Sequence, residues 1–299
     1  MKIIRKILIR LLRLFRSMIS DESFVKILYY LHMGKKLDLK NPQTMNEKLQ
    51  WLKLYDRKPL YHEMVDKILA KEYIRKLIGP QYLIPTIGQW NSFDEIDFER
   101  LPNRFVLKTN HSGGNMGVVI CKDKTSFDKN AARKRLEKSL KNDIYKSYVE
   151  WPYKDIKKCI FAEELLEDNE GDLVDYKFYC FDGYVDAVLT CIDRQSGETK
   201  FYFFDKNWEL KRYNKRGKEA PIDFTIPKPK NLDEMFDLAA KISKGIPHLR
   251  VDLYNIDGKI YFGEMTFFTA SGFDENRLPE TDMYFGSLIQ LPKIAETNL

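Results

Sequence analysis

Residues 248–273, HLRVDLYNIDGKIYFGEMTFFTASGF, decide how the rest of the chain is read. Side chains alternate between the two faces of a strand, so odd and even positions separate. Odd positions Leu249, Val251, Leu253, Tyr261, Met265 and Phe267 are apolar, interrupted by Gly263, while the even positions carry the charge. Asp257-Gly258 marks a turn between two strands. A three-residue loop of Ile256, Asp257 and Gly258, with Gly258 left-handed, is a common hairpin connection. It puts Arg250 directly across from Glu264, with Asp252 and Thr266 on the same face. A two-residue loop would put Asp252 and Glu264 on opposite faces. Two carboxylates beside one arginine suit a hard cation and phosphate, because Mg²⁺ takes carboxylate oxygens together with nucleotide phosphate oxygens. The same pattern also suits a surface ion-pair ladder.

A second stretch, FVLKTNHSGGNMGVVICKD (105–123), reads as strand, glycine loop, strand. Ser112, Gly113 and Gly114 sit at its tip and Lys108 on its first strand. The loop is neither a Gly-Lys-Ser/Thr phosphate loop nor a dinucleotide-binding GxGxxG. Glycine backbone can still approach phosphate oxygens without side-chain obstruction, although an ordinary hairpin tip reads the same way.

Between and around these stretches the periodicities predict helices over 22–33, 44–54 and 60–77, the second opened by Thr44 with Glu47 closing a capping box. Ile84-Pro85 starts an extended connection, and 91–100 read as a short acidic turn and helix. A helix over 128–143 follows. CIFAEELL (159–166) runs from strand into connector, and DYKFYCFDGYVDAVLTCIDR (175–194) is a hairpin turning at Asp182-Gly183. FYFFDKNWELKRY (201–213) is another short strand pair, 214–230 a polar surface loop, and LDEMFDLAAKISKGI (232–246) an amphipathic helix stopped by Gly245. The last 30 residues read as loop and tail. Antiparallel hairpins with a few helices give an α+β class. The expected organisation is a basic amphipathic segment at 1–20, a helical region at 21–100, a small lobe at 101–165 and a large lobe at 166–299.

The charge is concentrated at one end. Of 50 basic residues, Lys2, Arg5, Lys6, Arg10, Arg13 and Arg16 precede any acid, which leaves the remainder balanced against 44 acidic residues. A balanced body argues against a general nucleic-acid binder. On a helical wheel the six basic side chains share one sector, with Ile9 the misfit among them, and apolar residues fill the rest. Interrupting arginines exclude a spanning helix or a secretory signal. A basic amphipathic helix at an anionic membrane surface is expected, in preference to a helix docked on the body or on another protein. Cys121, Cys159, Cys180 and Cys191 lie in apolar strand-like runs without metal-ligand spacing, as buried thiols of a reducing compartment do. Of four scattered histidines, His111 stands out for its place beside the glycine loop.

Taken in order, Asp66-Lys67, Lys108 with its glycine loop, Glu163-Glu164-Leu165-Leu166, Asp175-x-Lys177, Arg250-x-Asp252 and Glu264-x-Thr266 resemble the ATP-grasp superfamily. NPQTMNEKLQWLKLYDRKPLY, VDKILAKEYI, DYKFYCFDG and the 250–273 hairpin are similar to one branch in particular, the TupA-like ATP-grasp proteins of bacterial surface-polysaccharide and teichuronopeptide biosynthesis. The resemblance covers about residues 40–292. It implies nucleotide held between two α+β lobes, with ATP and Mg²⁺ as cofactors. Lys67 and Lys108 would contact the phosphates, Ser112, Gly113 and Gly114 would cover them, and Glu163, Glu164 and Leu166 would line the adenine pocket. Asp175 would sit near the ribose with Lys177 beside it. Asp252 and Glu264 would bind Mg²⁺, and Arg250 and Lys108 would act on the transferring phosphoryl group. Thr266 stands where the superfamily usually has asparagine as third metal ligand.

The implied activity is an ATP-dependent carboxylate–amine ligase that makes an amide through an acylphosphate. Its implied substrates are a uronic-acid carboxylate of a free or lipid-linked glycan and an amino acid or amine, with the protein peripheral on the cytoplasmic face of the membrane. A glycosyltransferase, a sugar kinase using the same ATP site, and an inactive nucleotide-binding scaffold remain as alternatives.

Overall fold

The computed structural model describes residues 2–114, 116–167, 173–193 and 199–293. Five helices come first: α1 (Lys2–Leu14), α2 (Asp21–Met33), α3 (Met45–Tyr55), α4 (Leu60–Val65) and α5 (Leu69–Leu77). Thr44 and Glu47 form the expected reciprocal capping box on α3. The single helix expected over 60–77 is broken between α4 and α5. There the Asp66 carboxylate accepts from the amides of Ile68 and Leu69, at 2.9 and 3.3 Å, and from Asn110 Nδ2 at 2.7 Å. An aspartate that bonds its own backbone competes with the helical ladder. The break frees the Lys67 amide to donate to Asn110 O at 2.9 Å, and so ties this corner to the glycine loop.

A four-stranded antiparallel sheet follows, built from β1 (Thr86–Trp90), β2 (Phe105–Thr109), β3 (Val118–Cys121) and β4 (Ile160–Glu163) in the order β1-β4-β2-β3. The expected connection after residue 84 is thus in part an edge strand. Helix α6 (Lys129–Leu140) covers this sheet, and the short α7 (Ile144–Tyr148) leads back to β4. Phe105, Leu107 and Ile160 pack with Leu136 of α6 and with Phe93 and Phe98 from two short 3-10 turns, which stand where the acidic turn and helix were expected.

The larger sheet holds β5 (Asp175–Phe181), β6 (Tyr184–Ile192), β7 (Lys200–Phe204), β8 (Leu210–Lys211), β9 (Leu249–Ile256) and β10 (Lys259–Thr266), in the order β10-β9-β5-β6-β7-β8. A one-turn helix α8 (Lys215–Glu219) lies within the polar 214–230 stretch, and α9 (Leu232–Ser243) packs on one sheet face, with Phe236 edge-on to Phe178 at 5.1 Å. Central β5 is buried along its whole length, which explains its near-continuous apolar sequence.

The C-terminal stretch is not only loop and tail, because α10 (Pro279–Leu288) packs on α3. Its buried face is partly polar: Asp282 accepts from the Asn46 amide at 3.0 Å, Asn46 Nδ2 at 3.1 Å and Arg277 Nη1 at 2.9 Å. That polarity hides the apolar period, although Pro279 at the first helical position and two acids in the first turn are start signals. Gly286 is required here, since a Cβ would fall 2.0 Å from the Gln43 carbonyl oxygen.

The 248–267 hairpin forms with a different register from the one expected. Its turn has two residues, Asp257 and Gly258, both left-handed at φ 52° and 93°, and Ile256 pairs with Lys259. That alone would separate the two carboxylates. A bulge between Phe262 and Glu264, at Gly263, then shifts the pairing by one. Before the bulge Ile260 and Phe262 face the core; after it Met265 does. Glu264 therefore returns to the face of Asp252 and sits directly across from it, while Thr266 lies across from Arg250. A Cβ on Gly263 would meet the Asp252 carbonyl oxygen at 3.0 Å, so glycine suits the bulge by its close approach.

Candidate active site

The open face of the large sheet carries its charge in rows across β5, β9 and β10. Lys177 pairs with Asp252 and Asp252 with Glu264; in the next row Tyr179 pairs with Arg250 and Arg250 with Thr266. Arg250 donates to both Asp252 oxygens, at 2.6 and 2.8 Å, and to Glu264 Oε1 at 3.2 Å. Lys177 Nζ lies 2.5 Å from Asp175 Oδ2 and 2.5 Å from Asp252 Oδ2. Lys67, released by the helix break, reaches Glu264 Oε2 at 3.4 Å and donates to Ser112 O at 2.5 Å. One lysine thereby links the glycine loop to the carboxylate row.

The two carboxylates are not equivalent. Burial works against charge on Glu264, but Lys67, Arg250 and Lys177 outweigh it and hold its pKa down at about 2. Burial also penalises Asp252 and raises its pKa, opposed by Arg250 and Lys177 and reinforced by Asp175 and Glu264. Arg250 itself is raised: burial disfavours its charge, and Asp252 more than compensates.

The small sheet contributes a second cluster. Glu163, buried at the end of β4, accepts from Lys108 Nζ and Lys71 Nζ, each at 2.5 Å. Burial would raise this carboxyl, but Lys108 and Lys71 prevail and lower it. Lys71 also donates to Ile84 O at 2.8 Å and Thr86 Oγ1 at 2.6 Å. Its role was not read from the sequence, because it lies on a helix face that periodicity alone leaves ordinary.

Both clusters border one cavity of about 1140 Å³. Lys67, Lys108, Gly114, Glu164 and Leu166 line it toward the small sheet; Asp175, Lys177, Arg250, Asp252 and Glu264 line it toward the large one. Ser112 and Gly113 flank the loop without lining the cavity, Glu163 reaches it through Lys108, and Thr266 is not among its lining residues. The Ser112 hydroxyl instead accepts from Thr109 Oγ1 at 2.7 Å, and Gly117 sits so close that a Cβ would fall 2.1 Å from that same Oγ1. His111 is buried with Nε2 3.2 Å from Ser139 O, and burial followed by Lys158 lowers its pKa to about 4, as for a structural, neutral imidazole. The four cysteines are free and buried.

Sequence reasoning missed the far wall, formed by Thr269, Ala270, Asp274, Asn276, Lys215 and Arg216. Ala270 and Ser271 are left-handed, at φ 48° and 51°. Buried Lys53 holds this loop by donating to Ser271 O at 2.7 Å, and Gln50 donates to Gly272 O at 2.8 Å. Two non-glycine residues in left-handed backbone cost energy, and such strain persists where surroundings fix it.

The donor set fits Mg²⁺ as a partner shared with phosphate. Asp252 and Glu264 offer hard oxygens on one face, while no cluster of three acidic, histidine or cysteine ligands occurs among the described residues. Asp252 and Glu264 would hold a Mg²⁺ ion here, which would take its other ligands from phosphate and water oxygens.

A family model for TupA-like ATP-grasp proteins matches residues 47–290. The chain belongs to the TupA-like ATP-grasp family. Several solved structures resemble it distantly. The ATP-grasp ligase PsnB, in complex with a phosphomimetic variant of a minimal precursor, Mg and ADP, is 14% identical with a TM-score of 0.43, over 81% of this chain and 64% of that one. D-alanine–D-alanine ligase from Bacillus anthracis is 18% identical with a TM-score of 0.40, over 75% and 64%. Carboxyaminoimidazole ribonucleotide synthase from Aspergillus clavatus, complexed with ATP, is 15% identical with a TM-score of 0.41, over 77% and 53%. The TupA-like chain thus spans less than two thirds of the length of these structures. No curated protein sequence matches it at a significant level.

Proposed function

We propose that this TupA-like protein is an ATP-dependent carboxylate–amine ligase acting on a cell-surface glycan precursor. The observation that carries the reading is the row Lys177–Asp252–Glu264 facing Lys108 across one cavity, with Lys71 behind it on Glu163. Lys108 and Lys67 take the ATP phosphates, Gly114 lets backbone approach them, and Glu164 and Leu166 contact the base. Asp175 and Lys177 border the ribose and phosphate path. Asp252 and Glu264 hold Mg²⁺, with Thr266 an outlying neighbour. Bound there, the ion neutralises charge on the phosphates.

In this reading a substrate carboxylate oxygen attacks the γ-phosphorus, the bond to the bridging oxygen breaks, and ADP departs with that electron pair. Arg250 stabilises the charge spread over the transferring group. An amine then attacks the acyl carbon; phosphate leaves, and the amine proton passes to phosphate or water. The acceptor is a uronic-acid carboxylate, free or lipid-linked, and the amine an amino acid or related amine. Family membership supports that substrate class, and the wall at Thr269–Asn276 borders the space left for it.

Incubation with Mg²⁺-ATP, uronic-acid glycans labelled with ¹⁸O in the carboxylate, and a set of amines tests the reading. The expected products are ADP, phosphate carrying ¹⁸O, and a new amide mass. AMP formation, or a stable phosphorylated glycan without amine dependence, contradicts it.

A further inference from the structure

Helix α1 is docked the opposite way round from an ordinary amphipathic helix. Its basic side faces the protein. Arg5 Nη1 donates to Glu275 Oε1 at 2.6 Å and to His32 O at 3.1 Å, Arg13 lies over the Tyr148 ring at 4.8 Å, and Arg16 pairs with Asp21 and covers Phe24 at 4.7 Å. Ile9, the apolar misfit in the basic sector, is the residue that enters the core, against Phe24, Val25, Leu28 and Tyr29. The apolar side is turned outward: Ile4, Ile7, Leu8 and Leu11 are 44–62% exposed, and Leu14, Phe15 and Met18 extend the stripe at 54–81%. Lys6 and Arg10, one turn apart, stand exposed along one edge of it.

An outward stripe of large apolar side chains needs cover. We propose that this cover is a lipid bilayer, entered by the apolar face of α1, with Lys6 and Arg10 at the headgroup level. Charge favours lipid over a second copy of the chain. Antiparallel mating of two stripes would set Lys6 and Arg10 of both copies along the same edge, like charge beside like, whereas anionic headgroups complement them. Three of the six basic side chains are engaged with the protein, so insertion rests mainly on apolar burial and less on charge than the sequence alone implied. Glu275, the partner of Arg5, stands between Asp274 and Asn276, which line the cavity. Docking therefore brings the far rim of the cavity close to the lipid surface, where a lipid-linked substrate of the proposed ligase would lie. That consequence rests on the ligase reading; the docking itself does not, and its test needs no turnover.

The test is vesicle flotation of the full chain and two double variants, Leu8→Glu/Leu11→Glu and Lys6→Gln/Arg10→Gln, on phosphatidylcholine vesicles with and without phosphatidylglycerol, at low and high salt. All four positions are exposed, and circular dichroism with size-exclusion light scattering checks fold and oligomeric state. The parent should float as a monomer-derived species, and high salt should bring its binding to anionic vesicles down toward the level on neutral vesicles without abolishing it. Leu8→Glu/Leu11→Glu should lower partitioning roughly 100-fold or more. Lys6→Gln/Arg10→Gln should erase a roughly 30-fold preference for anionic over neutral vesicles, without loss of basal binding. Equal flotation of parent and Leu8→Glu/Leu11→Glu overturns the proposal. So does a parent dimer, abolished by that variant, that does not bind vesicles.

Discussion

The two charged clusters around the cavity are built on opposite principles. On the small sheet one carboxylate, Glu163, is shared by two lysines, Lys71 and Lys108, which leaves an excess of positive charge. On the large sheet three carboxylates, Asp175, Asp252 and Glu264, are matched by Lys67, Lys177 and Arg250. The first arrangement suits an anion directly. In the proposed reading, the second would become a cation site once phosphate draws its cations away from the carboxylates. One sheet is thus suited to phosphate and the other to phosphate and metal together, and the cavity brings the two within reach of one ligand.

The largest effect is expected at Asp252. Asp252→Asn removes the carboxylate shared by Arg250 and Lys177, leaving them Glu264 and Asp175, and should lower ADP release by about 10²-fold or more. Because it also takes one charge partner from each of two buried cations, a stability loss of about 1.5–3 kcal/mol is expected, measured by urea unfolding. Parent-like turnover in a folded Asp252→Asn protein would erase the distinction between the two clusters.

Lys108→Ala should act more gently. It should weaken ATP binding by roughly 10-fold or more, since a charge-assisted hydrogen bond contributes about 1.5–3 kcal/mol, and the loss should fall on KM more than on kcat. Unchanged KM for ATP would show that Lys108 serves only to neutralise Glu163.

Gly263→Val probes how the hairpin makes its row. The added side chain would press on the Asp252 carbonyl and on Tyr254, with an expected cost of about 1–3 kcal/mol and misalignment of Glu264. Retained stability and full ADP release would mean that the bulge does not set the site.

How much of this was legible in the sequence turns on the same bulge. Parity along 249–267 placed Arg250, Asp252, Glu264 and Thr266 on one face, and the structure has them there. The turn was expected to achieve it with three residues. It has two, and Gly263 supplies the missing shift, a backbone event that alternation cannot reveal because it reverses parity on only half a strand. Lys71 and Lys53 were hidden for a related reason: a lysine on a helix reads as solvated unless the fold brings a carboxylate or a carbonyl to it. The basic helix was legible as amphipathic, but which side it turns to the protein depends on Glu275, Asp21 and Tyr148, remote in sequence from most of it.

The smallest effect concerns pH. Glu264 has a folded pKa held near 2, below the ordinary value near 4.3. A depressed carboxyl contributes stability that is fully present above its unfolded pKa and is lost as pH falls toward the folded one. The stability gap between parent and Glu264→Gln should therefore be constant above about pH 5 and shrink between about pH 4.5 and 2. A gap that widens over that window would contradict the assigned cation partners.

The most direct test of the account is calorimetric titration of ATP into parent, Lys108→Ala and Glu264→Gln proteins, with Mg²⁺ and with EDTA. The account predicts that Mg²⁺ strengthens binding to the parent and to Lys108→Ala by a similar factor, from a weaker baseline in Lys108→Ala, whereas Glu264→Gln loses most of the Mg²⁺ effect. If Glu264→Gln keeps the full Mg²⁺ enhancement, or Lys108→Ala loses it, the division of phosphate and metal between the two sheets is wrong.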